Sequence, residues 1–316
     1  MIGIFQFDAI YQERVWGGRA LAELFGRALP PGQVIGESWE VVDRPEAQSI
    51  VHGGPHTGQS LRALLEIQGS EIMGPDWPPA KAFPILVKWL DCRERLSLQV
   101  HPPAAQAPGL GGEPKTENWF IARAAPDAAL IVGLQRGVDR AQFAQALDAG
   151  TLETCVNRFP VAAGDSVLVT SGTVHAIDGG NVILEIQQNS DTTYRVYDWG
   201  RTGLDGKPRQ LHRREALASI LWDQPAPPVL HAASTPSLLA DCPEFRIRCV
   251  PLAPGGQLAF SAGQQPRLLH VVRGRVDEAA TGVVLSGGAN VLLPFAGGFR
   301  FTATEESLLL VTEDFA

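Results

Sequence analysis

Short apolar runs separated by glycine and proline recur along the whole chain. The chain contains 33 glycines and 24 prolines, and these residues lie between most of the runs. Many short strands at fairly regular spacing are typical of an antiparallel barrel or sandwich. We therefore predict a mostly β protein, with strands in runs such as "ILVKWL", "LSLQV", "DSVLV", "NVILEIQQ" and "RLLHVVRG".

Helical periodicity is confined to a few short segments, all of which precede Trp222. The segment "RALAELFG" is expected to stop at Gly26. A second helix is expected to begin after Ser60, and a third is expected between Asp139 and Gly150. Ser and Asp are favoured at helix N-caps, and Gly is favoured at the C-terminal end. The fourth segment is "RREALASIL". The pattern predicts a few short helices inserted in the N-terminal half.

A change of composition after Trp222 marks the best candidate for a linker. The stretch "DQPAPPVLHAASTP" is rich in Pro, Ala and Ser, which favours a connecting segment. A chain of 316 residues is long enough for two domains. We predict a metal-binding catalytic domain over residues 1–222. A second β domain over 235–316 is predicted to lack metal ligands, because His270 stands there without a matching Glu and His set.

Three separate segments could supply ligands to one divalent metal ion. Gln99 and His101 lie two residues apart in "LSLQVHPP", so they share one face of a strand. Glu117 follows a loop in "GGEPKTENWF", and His175 follows a tight turn in "SGTVH". Imidazole and carboxylate are ligands that zinc favours. Together the segments match the two cupin motifs, with Gln99 replacing the first histidine and Thr170 replacing a proline.

Longer stretches of the chain resemble the type I mannose-6-phosphate isomerases, and in particular their short bacterial form. The resemblance covers about residues 1–222 and rests on "GESWEVVDRPE", "LVKWLDCRERLSLQVHPP", "KTENWF", "SGTVHAIDGGNVILEIQQNSDTTYRVYDWGR" and "LHRREAL". It implies a double cupin fold of two jelly-roll β-barrels. It also implies an aldose–ketose isomerase that interconverts mannose 6-phosphate and fructose 6-phosphate through an enediolate. One Zn²⁺ per chain is implied, with Gln99, His101, Glu117 and His175 as its ligands.

Four ionisable side chains are candidates for the catalytic chemistry. Lys115 lies two residues before Glu117, and a nearby dication would lower its pKa and make it available as a base or proton shuttle. Glu185 lies in an apolar strand, where it acts as the base or orients a cation. Arg195 stays charged, which suits it to stabilise an enediolate or to bind a phosphate. The resemblance implies an acid for ring opening at Asp191.

Ser97 and Lys88 are the candidate substrate-binding residues. The resemblance matches both to residues of the phosphate end or of the cavity. Lys88 lies in the apolar run "ILVKWL", where a lysine is costly unless it is paired. Arg93 and Arg95 are nearby alternatives for holding the phosphate.

Charge and cysteine content narrow the class of partner and the location. The net charge of −8 argues against nucleic acid or an anionic membrane as the main partner. No stretch reaches the roughly 18 apolar residues that a membrane-spanning helix needs. The four cysteines form no CxxC pair, which favours reduced thiols in a cytoplasmic protein. We expect a sugar-phosphate substrate and a monomer or homodimer.

Two other functions are compatible with a cupin metal site. The first is an iron-dependent cupin oxygenase, although the amide of Gln99 in place of an imidazole argues against it. The second is a non-catalytic cupin that binds sugar phosphates. Lys115, Asp191 and Arg195 beside a full ligand set argue against a purely binding role.

Overall fold

The computed structural model describes residues 2–225, 229–231 and 235–315, and strands dominate these ranges. The helices are α1 (Ala20–Phe25), α2 (Leu61–Met73), α3 (Arg140–Ala149) and α4 (Arg213–Ser219), and 3₁₀ turns occur at Ala107–Leu110 and Leu152–Thr154. No helix in the described ranges has the length and apolar character needed to cross a membrane.

The strands divide into two groups along the chain. The first group is β1 (Phe5–Gln6), β2 (Ile10–Gly18), β3 (Ile35–Val41), β4 (Asp43–Arg44), β5 (Ala47–Gln48), β6 (Ile85–Cys92), β7 (Leu98–Val100), β8 (Glu117–Ala124), β9 (Ala129–Leu134), β10 (Val156–Pro160), β11 (Asp165–Val169), β12 (His175–Ile177), β13 (Asn181–Gln188), β14 (Tyr194–Tyr197) and β15 (Val229–His231). The second group is β16 (Ser237–Asp241), β17 (Arg246–Leu252), β18 (Gln257–Phe260), β19 (Arg267–Arg273), β20 (Arg275–Glu278), β21 (Val284–Ser286), β22 (Asn290–Leu293), β23 (Phe299–Ala303) and β24 (Ser307–Glu313).

Each group supplies two larger antiparallel sheets. In the N-terminal half, a seven-stranded sheet has the order β15-β11-β8-β13-β6-β3-β2, and a five-stranded sheet has the order β10-β9-β12-β7-β14. In the C-terminal half, the orders are β1-β22-β19-β24-β17-β16 and β18-β23-β20-β21. The predicted fold, mostly β with two jelly-roll halves and a few helices in the N-terminal half, is confirmed.

Two segments pair differently from the sequence-based expectation. Part of the predicted linker is a strand rather than an irregular connection. Residues 229–231 form β15, which pairs with β11 at the edge of the seven-stranded sheet. The rest of the predicted linker includes residues 226–228 and 232–234, which lie outside the described ranges. At the other end of the chain, Phe5 and Gln6 pair with β22 of the C-terminal half. The division into domains at 222 and 235 stays a prediction.

Side chains along the central strands point alternately to opposite sides, which gives the seven-stranded sheet two different faces. Lys88 on β6 is directly opposite Glu185 on β13, and both side chains point to the same face. Their neighbours Trp89 and Leu184 point to the other face, where they join a core cluster that also contains Leu310 of the C-terminal half. One face of this sheet therefore carries charges, while the other packs against the C-terminal half.

The helix boundaries agree with the predicted caps in three cases and differ in detail elsewhere. The side chain of Ser60 accepts a hydrogen bond from Ala63 N at 3.2 Å, but α2 continues past the predicted segment to Met73, with a kink at Gln68. Asp139 and Gln142 form a reciprocal capping box at the start of α3, which ends at Gly150. Helix α1 ends at Gly26, as expected.

Candidate metal centre and active-site cavity

Strand ends of the N-terminal half bring three ionisable side chains together. His101 follows β7 directly, Glu117 is the first residue of β8, and His175 is the first residue of β12. His175 is paired across the sheet with Gln99. The turn before β12 is fixed by Gly172, which has a φ of 90° and donates its N–H to His101 O at 2.8 Å. Only glycine adopts that conformation readily.

The geometry of His101, Glu117 and His175 suits a bound cation. One potential ligand atom from each of the three lies within 4.8 Å of the others. Glu117 Oε1 lies 3.3 Å from His175 Nε2, and Glu117 Oε2 lies 3.5 Å from His101 Nε2. Tetrahedral ligands around zinc at 2.0 to 2.1 Å are about 3.3 Å apart. The spacing therefore fits one ion of that size.

The hydrogen bonds of the two imidazoles leave the metal-facing nitrogens free. His101 Nδ1 lies 2.7 Å from Thr192 O, and His175 Nδ1 lies 2.8 Å from Thr173 O. A carbonyl oxygen only accepts, so each Nδ1 must carry the proton and each Nε2 has a lone pair. Among the described residues, neither Nε2 atom has a hydrogen-bond partner, although both atoms are buried. Buried polar atoms without partners are typical of a site built for a ligand.

Electrostatics favour the protonation states that a metal ligand needs. Burial lowers the pKa of His175 to about 3, which keeps the ring neutral. Burial also raises the pKa of Glu117, but Lys115 and His101 outweigh it and hold that pKa well below its ordinary value. Burial also lowers the pKa of His101, so the centre offers two neutral imidazoles and one carboxylate. Gln99 lies on the cavity wall beside them.

A cavity of about 420 Å³ lies next to this group and gathers the predicted catalytic and substrate-binding residues. Such a volume is in the range of small-molecule sites. A larger groove of about 870 Å³ lies between the two halves, but none of the described residues lining it belongs to the predicted site. The residues that line the smaller cavity are Arg14, Trp16, Glu37, Lys88, Leu90, Leu96, Ser97, Gln99, Lys115, Glu185, Asp191, Thr193, Arg195 and Arg209.

Lys115 and Glu185 form a buried pair beside the metal centre. Lys115 Nζ lies 2.7 Å from Glu117 Oε2 and 3.6 Å from Glu185 Oε1. Burial lowers the pKa of Lys115, but Glu117 and Glu185 outweigh burial and raise it. For Glu185, burial is the main cause of a raised pKa, and Trp119 Nε1 donates a hydrogen bond to its Oε2 at 3.0 Å.

Lys88 is surrounded by carboxylates rather than exposed to solvent. Its Nζ lies 3.6 Å from Asp191 Oδ1, 3.7 Å from Glu37 Oε2 and 3.8 Å from Glu185 Oε1. The ammonium also lies over the ring of Trp39, 4.7 Å from its centroid. These contacts explain how a lysine is tolerated in an apolar strand, and they place it among acids rather than beside other cations.

Arg195 is a cavity cation with a different environment. Its Nη1 donates to Gln210 O at 2.8 Å, and no carboxylate of the described residues lies within ion-pair distance. Burial lowers the pKa of Arg195, and the nearby Arg209 adds to that effect. The alternative phosphate ligand Arg95 lies away from the cavity, where it pairs with Asp178 and Glu153.

Three charged residues of the cavity were not singled out from the sequence. Glu37 lies two residues before Trp39, so strand alternation in "GESWE" could have placed both on the cavity face. Arg14 is held by Glu37, with Nε 2.9 Å from Oε1. Arg209 lies in an irregular segment after β14, and no sequence period could have located it.

Comparison with known proteins connects this site to one enzyme family. The model of the phosphomannose isomerase type I catalytic domain matches residues 4–117. The mannose-6-phosphate isomerase ManA of Bacillus subtilis is 34% identical over 96% of this chain and 97% of its own length. The mannose-6-phosphate isomerase of Streptococcus mutans is 37% identical over 68% of this chain and 66% of its own.

Solved structures show the same fold over the whole chain. The crystal structure of the mannose 6-phosphate isomerase from Bacillus subtilis has a TM-score of 0.86 at 27% identity, covering 99% of this chain and 100% of that one. A mutant phosphomannose isomerase from Salmonella typhimurium has a TM-score of 0.78 at 16% identity, covering 100% of both, and shares the fold. By sequence, fold and the family model, this chain belongs to the type I mannose-6-phosphate isomerases.

Proposed function

We propose that this protein interconverts mannose 6-phosphate and fructose 6-phosphate with one Zn²⁺ per chain, through an enediolate. The observation that carries the proposal is the buried group of His101, Glu117 and His175 next to a charged cavity, since both Nε2 atoms lack a hydrogen-bond partner within the described ranges. The family membership supplies the substrate, since the relatives carry the name mannose-6-phosphate isomerase.

The metal would be held by His101, Glu117 and His175, with Gln99 as the fourth ligand. These two imidazoles and one carboxylate suit zinc, and the carbonyl partners of both Nδ1 atoms fix the rings in place. When bound, the ion supplies positive charge that polarises a sugar oxygen. Because Glu117 would be its one anionic ligand, the centre keeps a net positive charge.

Proton transfer between C1 and C2 of the sugar would fall to Lys115 and Glu185. Both line the cavity, and both are almost fully buried, at 5% and 4% exposed. They lie 3.6 Å apart, close enough for both side chains to contact the same part of a bound sugar. Water exclusion strengthens the field of these charges on the developing enediolate.

The remaining predicted residues would bind and orient the substrate. Arg195, which has no carboxylate partner in the described part of the chain, would hold negative charge on the substrate. Asp191 would assist ring opening, since its side chain is 43% exposed and reaches the cavity mouth. Ser97 lines the cavity beside Gln99. Lys88, among three acids, would contact sugar hydroxyls and hold those acids in place.

The setting of the reaction follows from charge and thiol content. A net charge of −8 favours a small-molecule substrate over nucleic acid or an anionic membrane. The four cysteines are free, as expected for a cytoplasmic protein. We propose a cytoplasmic enzyme that acts as a monomer or homodimer.

Metal analysis combined with a coupled isomerase assay tests the proposal. Chelation should remove zinc and activity together, and added zinc should restore both. His175→Ala should lose bound metal and turnover because it removes one of the ligands. Arg195→Ala is the matched variant, since it should keep zinc but lower turnover by roughly 10²- to 10⁴-fold. Full turnover in metal-free protein, or in His175→Ala, would refute the metal-dependent function.

A further inference from the structure

We propose that Arg209, oriented by Asp198, is a second guanidinium that binds the phosphate of the substrate beside Arg195. This inference rests on the proposed function, because it concerns the phosphate group of the same substrate. Arg209 lines the same cavity as Arg195, although it lies in an irregular segment well after β14.

Asp198 holds Arg209 in a fixed orientation. Arg209 Nε lies 2.6 Å from Asp198 Oδ2, and Arg209 Nη2 lies 2.5 Å from Oδ1. Asp198 is 5% exposed, so this two-bond contact is sheltered from water. A guanidinium fixed on one edge keeps its remaining N–H groups available for another anion.

A second arginine shares the same carboxylate. Arg201 Nη2 lies 2.8 Å from Asp198 Oδ1, and Arg201 Nη1 donates to Arg95 O. Arg201 is therefore anchored to the backbone that precedes Ser97, whereas Arg209 faces the cavity. Two guanidinium groups on one carboxylate leave a positive charge that Asp198 does not balance.

Backbone hydrogen bonds hold the segment of Arg209 against Arg195. Gln210 O accepts from Arg195 Nη1 at 2.8 Å, and His212 N donates to Arg195 O at 2.8 Å. Arg195 N donates in return to His212 Nδ1 at 3.2 Å. The residue after Arg209 thus touches the guanidinium of Arg195, which brings the two arginines to one end of the cavity.

The charges of the cavity are unevenly distributed. The lining carboxylates Glu37, Glu185 and Asp191 all lie within 3.8 Å of Lys88 Nζ. At the Arg195 end, Asp198 is shared by two arginines and Arg195 has no carboxylate partner among the described residues. A phosphate ester with a second pKa near about 6 carries close to two negative charges at neutral pH. The excess positive charge of the arginines at this end of the cavity matches the negative charge of the phosphate.

Binding of inorganic phosphate, measured by calorimetry, and steady-state kinetics test the inference. Arg209→Gln should raise the phosphate dissociation constant by roughly 10- to 100-fold, the range for one charge-assisted hydrogen-bonding group. It should raise the KM for mannose 6-phosphate by a similar factor. Arg213→Gln is the control, since Arg213 is an exposed arginine nearby that pairs with Asp148 outside the cavity.

Two further variants distinguish the effect of the orientation of Arg209 from the effect of its charge. Arg209→Lys keeps the charge but loses the planar fork, so its phosphate affinity should lie between those of the unaltered protein and Arg209→Gln. Asp198→Asn keeps the shape but frees Arg209, so it should raise KM more than it lowers kcat. Thermal unfolding of each variant identifies loss of fold.

The results distinguish failure of this inference from failure of the proposed function. Phosphate affinity in Arg209→Gln equal to that of Arg213→Gln, or no phosphate binding by the unaltered protein, would overturn the inference. A protein that binds phosphate through Arg209 but does not isomerise mannose 6-phosphate would refute the proposed function and leave the phosphate site standing.

Discussion

Buried and partly buried charged side chains along one wall of the cavity alternate in sign. Glu37 receives two hydrogen bonds from Arg14 and lies 3.7 Å from Lys88. Along this wall Lys88 lies next to Glu185, and Glu185 lies next to Lys115. Lys115 in turn contacts Glu117 of the metal centre. A buried ion without a counter-charge is strongly destabilising. Each residue in this series therefore depends on its neighbours.

Glu37 should make stability depend on pH in the acid range. Burial raises its pKa, but Lys88 and Arg14 outweigh burial and lower the pKa from 4.5 to about 2. A carboxyl with a depressed pKa stabilises the fold above about pH 4.5, and that stability is lost as the pH falls towards 2. Glu37→Gln should lower the free energy of unfolding by about 3 kcal/mol at pH 7 and by much less near pH 3.

Urea unfolding of Glu37→Gln and of the unaltered protein at pH 7, 5, 4 and 3 measures the difference in their free energies of unfolding. Glu66→Gln on the exposed side of α2 is the control for loss of one negative charge. A stability difference between Glu37→Gln and the unaltered protein that stayed constant from pH 5 to pH 3 would contradict the assigned ion pairs.

At the scale of elements, strands place the chemistry and helices support the barrel from outside. β6 directs Lys88 and β13 directs Glu185 into the cavity, while their neighbours Trp89 and Leu184 point to the opposite face, so the sheet positions these charges through its pleat. Helix α3 instead packs Phe143 and Leu147 against a separate core cluster and contributes nothing to the cavity lining. Its stability can therefore be changed without touching the site.

Asp139→Ala should destabilise the protein without affecting catalysis. Asp139 accepts from Gln142 N at 2.8 Å, and Gln142 Oε1 accepts from Asp139 N at 3.0 Å. Loss of such an N-cap costs about 1 kcal/mol. Chemical unfolding should show this loss, while the KM and kcat for mannose 6-phosphate stay unchanged. Gln145→Ala, an exposed position on the same helix, should change the stability by less than about 0.5 kcal/mol. Equal effects of the two substitutions would rule out the cap.

At the scale of the whole molecule, the two halves share one core. The cluster that contains Trp89 and Leu184 of the seven-stranded sheet also contains Ile247, Leu292 and Leu310 of the C-terminal sheet. Trp89 Nε1 donates to Gly288 O at 3.0 Å, which adds a polar contact between the halves. The C-terminal half therefore supports the back of the sheet whose front carries the cavity charges.

Leu310→Ala should lower the stability of both halves together. Leu310 is fully buried in the shared core, and a Leu→Ala change in a core costs about 2 to 5 kcal/mol. All seven tryptophans precede residue 223, so their fluorescence reports on the N-terminal half. The midpoints followed by fluorescence and by circular dichroism should fall by the same amount.

Leu238→Ala is the control for this substitution, since Leu238 is 49% exposed on β16. A fluorescence midpoint that stayed fixed while the circular dichroism midpoint fell would show that the halves unfold independently.

Local sequence determined those features whose physical cause lies within a few residues. Alternation in "NVILEIQQ" fixed which side of β13 carries Glu185, and the cap residues Ser60 and Asp139 fixed where two helices begin. The spacing of Gln99 and His101 was enough to place both beside one strand end. These features follow from backbone geometry and short-range hydrogen bonds, which the residues themselves specify.

Only the tertiary structure decided which distant residues share a charge environment. Nothing in the run around Lys88 indicates that Glu37 would face it, because that contact depends on how β3 pairs with β6. Likewise, an ion pair with Asp198 holds Arg209 at the cavity. Strand β1 joins the C-terminal sheet because residues from opposite ends of the chain pair with each other. Such contacts depend on long-range strand register and loop closure, which are set by the packing of the whole molecule rather than by any local pattern.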